Sequence, residues 1–143
     1  MNPPRINGIV SSKLDVMRDV CRRLREIAPV TPERLVDDPW LRAGVERFLQ
    51  VLTEAAVDVC HRLLSLAGEA TTPTARKAVE ACVRLGAIED RPEYVQMVQF
   101  RNFLVHRYDR IDENVLADAV NRHLDDYERF IHEVEAYAQR RSQ

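Results

Sequence analysis

Apolar residues recur every three to four positions through nearly the whole chain, and that period leaves room for little except helices. The longest run starts at Asp38-Pro39 and reaches about Leu66, with Leu41, Val45, Phe48, Leu52, Ala56, Val59 and Leu63 on one stripe. Asp38 is a side-chain cap, Pro39 suits the first helical position, and Gly68 supplies a stop. An earlier amphipathic segment runs from about Ile6 to Ile27, with Ile9, Leu14, Met17, Cys21 and Leu24 near one face. Pro29 and Pro32 end it, and residues 31–38 read as a loop. Thr72-Pro73 repeats the cap-then-proline signal and opens a shorter helix through Leu85 that Gly86 closes. Pro92 opens another helix. Asp112 caps a last one to about Gln139, with Leu116, Val120, Leu124, Tyr127, Ile131 and Val134 at core spacing. No strand-period run, repeat or low-complexity tract interrupts this pattern. It predicts an all-α, antiparallel bundle of about five helices joined by short loops, one domain over residues 1–143.

Composition narrows the function classes. Apolar residues make up 45% and charged residues 31%, which suits a folded, soluble chain. A formal net charge of −2 argues against a uniformly basic nucleic-acid coat but leaves room for a local basic cleft. The cations are almost all arginine, Lys13 and Lys77 excepted, for which biased genome composition is the plain explanation. Cys21, Cys60 and Cys82 sit in apolar helical patterns without metal-ligand spacing, as reduced, buried thiols do. No stretch approaches the roughly 18 apolar residues of a membrane span, and residues 1–5 lack the start of a signal peptide. The expectation is a cytoplasmic protein with no membrane attachment, metal or cofactor.

One segment breaks the helical logic. On a helix opened at Pro92, Tyr94, Met97, Val98, Leu104, Val105 and Tyr108 share an apolar face, and Arg101 lies in its middle. A guanidinium there cannot shed its charge, so it must be paired, lie in a wet cleft or face a partner subunit. His106 follows Asn102 by one turn and flanks the same face near the helix end. On a straight helix Arg101 and His106 are about 140° and about 7.5 Å apart. They converge only if the helix end distorts, if Arg101 bends round, or if a second copy supplies the complementary group.

The string Arg101-Asn102-x-Leu104-Val105-His106-x-Tyr108, followed by Ile111-Asp112, resembles the HEPN superfamily, specifically the HepT-like toxins of HepT/MntA toxin–antitoxin pairs. Asp38-Pro39, the run Ala55-Ala56-Val57-Asp58 and the turn Leu85-Gly86-Ala87-Ile88 also resemble it, so the similarity runs from about residue 10 to residue 138. The resemblance implies a HEPN-like fold and a metal-independent endoribonuclease, with tRNA among the candidate substrates. It implies a homodimer whose motif helices face each other, open to larger assembly with an MNT-type nucleotidyltransferase antitoxin. Arg101 and His106 would be catalytic, and Tyr108 would be the residue on which that antitoxin places AMP.

The residue chemistry is compatible with this. RNA cleaves itself when its 2′-OH attacks the adjacent phosphorus, so a protein need only move protons and stabilise charge. An imidazole titrates near working pH, and a guanidinium fork matches two phosphate oxygens. Plainer roles stand beside these. His106 can be a helix-terminal histidine favoured by the macrodipole, and Arg101 can form a structural ion pair with Glu54 or Asp58. Asn102 can hold His106, touch RNA or be a surface amide, and Tyr108 can pack in a core or interface. Asp58 can orient the arginine or histidine or simply be solvated. Arg18, Arg22 and Arg25 read as a solvated face, and His61, His123 and His132 as surface residues. The alternatives for the whole chain are a non-catalytic HEPN module that binds nucleotides or a partner, and a plain helical dimerisation domain.

Overall fold

The computed structural model describes residues 8–70, 74–106 and 111–141, with the backbone alone at residues 105 and 106. Among these residues there are seven helices and no strand. They are α1 (Gly8–Ile27), α2 (Pro32–Asp37), α3 (Pro39–Leu66), α4 (Ala75–Leu85), α5 (Pro92–His106), α6 (Glu113–Arg122) and α7 (Leu124–Arg141).

The all-α expectation holds, and the count differs from about five for two local reasons. Residues 31–38, expected as a loop, contain α2. Thr31 caps it by accepting the Arg34 N–H, and Pro32 opens it. That is the same signal that marks α3, but six residues are too few for a helix to stand by propensity alone. Leu35, fully buried, anchors α2 to the core. The expected last helix is broken at His123, whose backbone leaves helical geometry. Its ring lies between two carboxylates, 3.0 Å from Asp118 and 3.3 Å from Asp126. No proline or glycine marks this break, so a periodicity argument passes over it. The α4 cap is Thr74, accepting the Lys77 N–H at 3.1 Å; Thr72 and Pro73 lie outside the described residues.

The long helix α3 is the axis of the bundle and touches each of the other six. Leu49, Leu52, Val59 and Cys60 on it are fully shielded. Every core position named above for the last helix is buried, as are Leu14, Met17, Cys21 and Leu24 on α1, whereas Ile9 is exposed and Val10 takes its place inside. The three cysteines are free and buried. Burial pushes the Cys21 thiol up to about 12. The Cys60 thiol is also held well above its usual value, by its bond to Cys82 and by burial. Neither is a reactive thiolate at neutral pH. The arginines of α1 are ion-paired on a solvated face: Arg18 with Asp15 and Glu135, Arg22 with Asp19 and Glu26, Arg25 with Asp125 and Glu128. The pairs to α7 clasp it against α1.

Two charged hubs fix α5 within this frame. At its start, Glu133 of α7 accepts the Glu89 N–H at 2.9 Å, the Arg91 guanidinium at 2.9 Å and the Tyr94 hydroxyl at 2.8 Å. The Tyr94 ring meets Phe130 edge-on at 5.6 Å. Burial and the Glu133 bond raise the pKa of Tyr94, keeping it a neutral donor. Beyond the other end of α5, Arg42 of α3 donates to the Ile111 carbonyl and pairs with Glu113 at 3.0 Å and Glu46 at 3.1 Å. Between the hubs, Tyr94, Met97, Val98 and Leu104 are buried as their spacing predicts. Glu133→Ala strands the Tyr94 hydroxyl and the Glu89 N–H together. It should lower stability by about 2–4 kcal/mol, read from urea unfolding; a loss below about 0.5 kcal/mol would remove Glu133 from this role.

Candidate functional site

The motif segment occupies the last turns of α5, where the helix dipole favours cations. Arg101 is half-buried. Its Nε is buried and has no hydrogen-bond partner among the described residues, while Nη1 donates to Asn102 Oδ1 at 3.2 Å. Neighbouring residues on a helix point about 100° apart, so the guanidinium bends along the helix surface to reach that amide. No carboxylate pairs with Arg101 among the described residues. Asp58, an alternative partner considered above, is exposed and bound to Lys13 of α1 at 3.1 Å. Glu54 is half-buried and forms no ion pair among the described residues. A half-buried cation without a counter-ion is electrostatically costly unless an anion joins it.

His106 is the last residue of α5, and its side chain, like Val105 and Tyr108 from the apolar face, lies outside the described residues. The helix runs unbroken to His106, so the backbone keeps Arg101 and His106 five positions apart on one element. Asn102 is exposed, with its oxygen engaged by Arg101, which leaves its NH₂ as the group it can offer. Phe100 and Phe103 are half-buried against the core. The apolar surface of α5 therefore extends further round the helix than the single stripe read from the sequence. Two residues that position the site, Arg42 and Glu133, were not singled out by sequence. Their partners lie 69 and 71 residues away for Arg42 and 39 to 44 residues away for Glu133, beyond any periodic signal.

Among the described residues, no group of three or more His, Cys, Asp or Glu could hold a metal ion. No helix of those residues is long and apolar enough to cross a membrane. What the arrangement offers is a guanidinium without a carboxylate partner among the described residues, an adjacent amide donor and a histidine at the helix end. That set suits an oxyanion such as a phosphodiester.

This bundle, with an R-x4-H segment at the end of its fifth helix, has the HEPN fold. It superposes on a tri-AMPylated HEPN toxin of Shewanella oneidensis, solved in complex with an MNT antitoxin, with a TM-score of 0.79 and 22% identity, covering 92% of this chain and 99% of that one. A toxin–antitoxin complex with AMP-PNP matches over the same shares at a TM-score of 0.78 and 21% identity. Residues 17–134 match the family Ribonuclease HepT-like, and the chain belongs to that family. The tRNA nuclease HepT of Aphanizomenon flos-aquae (strain 2012/KM1/D3) is 25% identical over 134 residues, 90% of this chain and 89% of that protein.

That charge has a measurable consequence. Arg101→Met removes a cation without orphaning a carboxylate among the described residues, so stability should fall by less than about 1 kcal/mol or should rise. Inorganic phosphate at low salt should raise the melting temperature of the unaltered protein and not that of Arg101→Met. A destabilisation above about 3 kcal/mol would mark Arg101 as a structural ion-pair residue instead.

Proposed function

We propose that this protein is the toxin of a HEPN/MNT toxin–antitoxin pair and cleaves RNA, with tRNA the candidate substrate, without a metal. The carrying observation is the half-buried guanidinium of Arg101, lacking a counter-ion among the described residues and standing five positions before His106 in a Ribonuclease HepT-like chain. The tRNA nuclease relative supports the substrate class.

In this mechanism Arg101 and the Asn102 NH₂ hold the non-bridging oxygens of one phosphodiester and offset the charge that builds there. His106 takes the proton from the 2′-OH as that oxygen attacks phosphorus. The bond from phosphorus to the 5′ oxygen breaks, and an imidazolium delivers a proton to that oxygen. Acid and base act at once on opposite sides of phosphorus, which asks for two histidines. A two-fold homodimer with facing α5 helices supplies them, one His106 from each protomer, and it makes the wide separation within one helix useful. Asn102 is the supporting residue closest to the chemistry. Asp58, bonded to Lys13, supports the site by holding α1 on α3.

The regulating partner in this reading is a nucleotidyltransferase antitoxin that attaches AMP to Tyr108. AMP there would place a bulky anion two helical turns from Arg101 in sequence, and so oppose substrate phosphate by volume and charge. The AMPylated state of the solved Shewanella oneidensis toxin supports this assignment.

His106→Ala and Arg101→Ala should each slow cleavage of purified tRNA by at least about 100-fold while leaving helicity unchanged, and wild-type cleavage should persist in EDTA. A His106→Ala protein as fast as wild type would overturn the catalytic assignment. Separately, co-expression with the antitoxin should add one or more AMP masses to the chain, and Tyr108→Phe should lose them. An adduct that survives Tyr108→Phe would move the modification to another residue.

A further inference from the structure

A groove outside the motif opens between α5, α6 and α7, with a volume of about 150 Å³. Its floor is apolar: Met97 and Phe100 from α5, Ala119 from α6 and Tyr127 from α7. Its mouth carries the carboxylates of Glu93, Asp118 and Asp126. The α5 residues that line it point from about 40° (Met97) to about 140° (Gln96) round the helix from Arg101, and Phe100 is its immediate neighbour in sequence. The groove is thus a side wall of the motif helix, centred about a quarter turn from Arg101 and meeting the motif face at Met97.

The charges at the mouth are only partly balanced. Asp118 is shared by Arg122 at 3.4 Å and His123 at 3.0 Å, and Asp126 by His123 at 3.3 Å and Arg129 at 3.2 Å. A neutral imidazole can donate from one nitrogen only, so His123 satisfies both carboxylates only when protonated. Glu93 has no cationic partner among the described residues, and it is the carboxylate that stands on the motif helix itself.

These charges select the occupant. RNA phosphate would meet carboxylates here. A second copy docking through a two-fold axis would set this acidic mouth against itself. An apolar floor under an acidic mouth, with room for about one side chain, fits an arginine or lysine whose carbon stem lies on Phe100 and Tyr127 and whose head reaches Glu93. We propose that this groove is the anchoring pocket for a basic side chain of the nucleotidyltransferase antitoxin, seating that partner against the helix that carries Arg101. The inference rests on the antitoxin reading above and adds to it the surface and the chemistry of contact.

The test compares binding of the purified cognate antitoxin to the wild-type chain, Glu93→Gln and Glu93→Lys by calorimetry, with tRNA cleavage and sedimentation measured on each. The Glu93 side chain makes no hydrogen bond or ion pair among the described residues, so both variants should keep wild-type helicity. Glu93→Lys should weaken the complex at least about tenfold and Glu93→Gln about threefold, with added salt narrowing the differences. Cleavage and oligomeric state should be unchanged. Equal affinity for all three chains would overturn the pocket assignment. Loss of cleavage with intact antitoxin binding would assign the groove to RNA, and a change in sedimentation alone would assign it to a second copy; either result overturns the proposal. A wild-type chain that does not bind the antitoxin at all would instead overturn the antitoxin reading, and the pocket assignment with it.

Discussion

The orientation of α5 depends on hydrogen bonds to charged groups at its two ends, more than on its apolar face. Glu133 gathers a backbone N–H, a guanidinium and a phenol at the start of the helix. Arg42 gathers the Ile111 carbonyl and two carboxylates just beyond its end. The side chains of both hubs are 13% exposed, so the bonds form where water competes weakly and charge-assisted contacts are strongest. A helix that is apolar over so much of its circumference has no single preferred rotation from burial alone. The two hubs supply that rotation, and with it the direction in which Arg101 points.

This frame holds a cation that no carboxylate balances among the described residues. The cost of leaving Arg101 without such a partner is borne by a bundle held by many other ion pairs, from the α1–α7 clasps to the Arg42 cluster. A cation lacking a counter-ion makes an anion site selective, because a bound anion supplies the missing charge. In the proposed dimer two such points would face each other, and a phosphodiester between them would be bound by both.

The same helix divides its surface by charge. The cationic motif face suits a polyanion, while the wall a quarter turn away carries Glu93 over an apolar floor. A substrate and a regulator of opposite charge can therefore approach one element without competing for the same groups. The α6–α7 break at His123 helps to form the acidic wall, since Asp118 and Asp126 converge there on the imidazole.

The sequence by itself determined the class, the main helices and the motif. The 3.6-residue period of Leu116, Val120, Leu124, Tyr127, Ile131 and Val134, and the caps at Asp38 and Asp112, are local signals that the structure keeps almost residue for residue. Arg101 was legible as an anomaly because a charge in an apolar stripe is itself a periodic signal. Three things lay beyond that periodic signal, the first and last of them settled by tertiary contacts. Leu35 stabilises α2, too short to stand by propensity, by entering the core. The helix ends at His123 where two carboxylates hold its ring, not at a helix breaker. Asp58 turns from the motif to Lys13, and Glu133 and Arg42 reach across the bundle to residues tens of positions away. A periodic pattern reports which face of a helix is buried, but not which distant group meets it, because that meeting is decided by how whole helices pack.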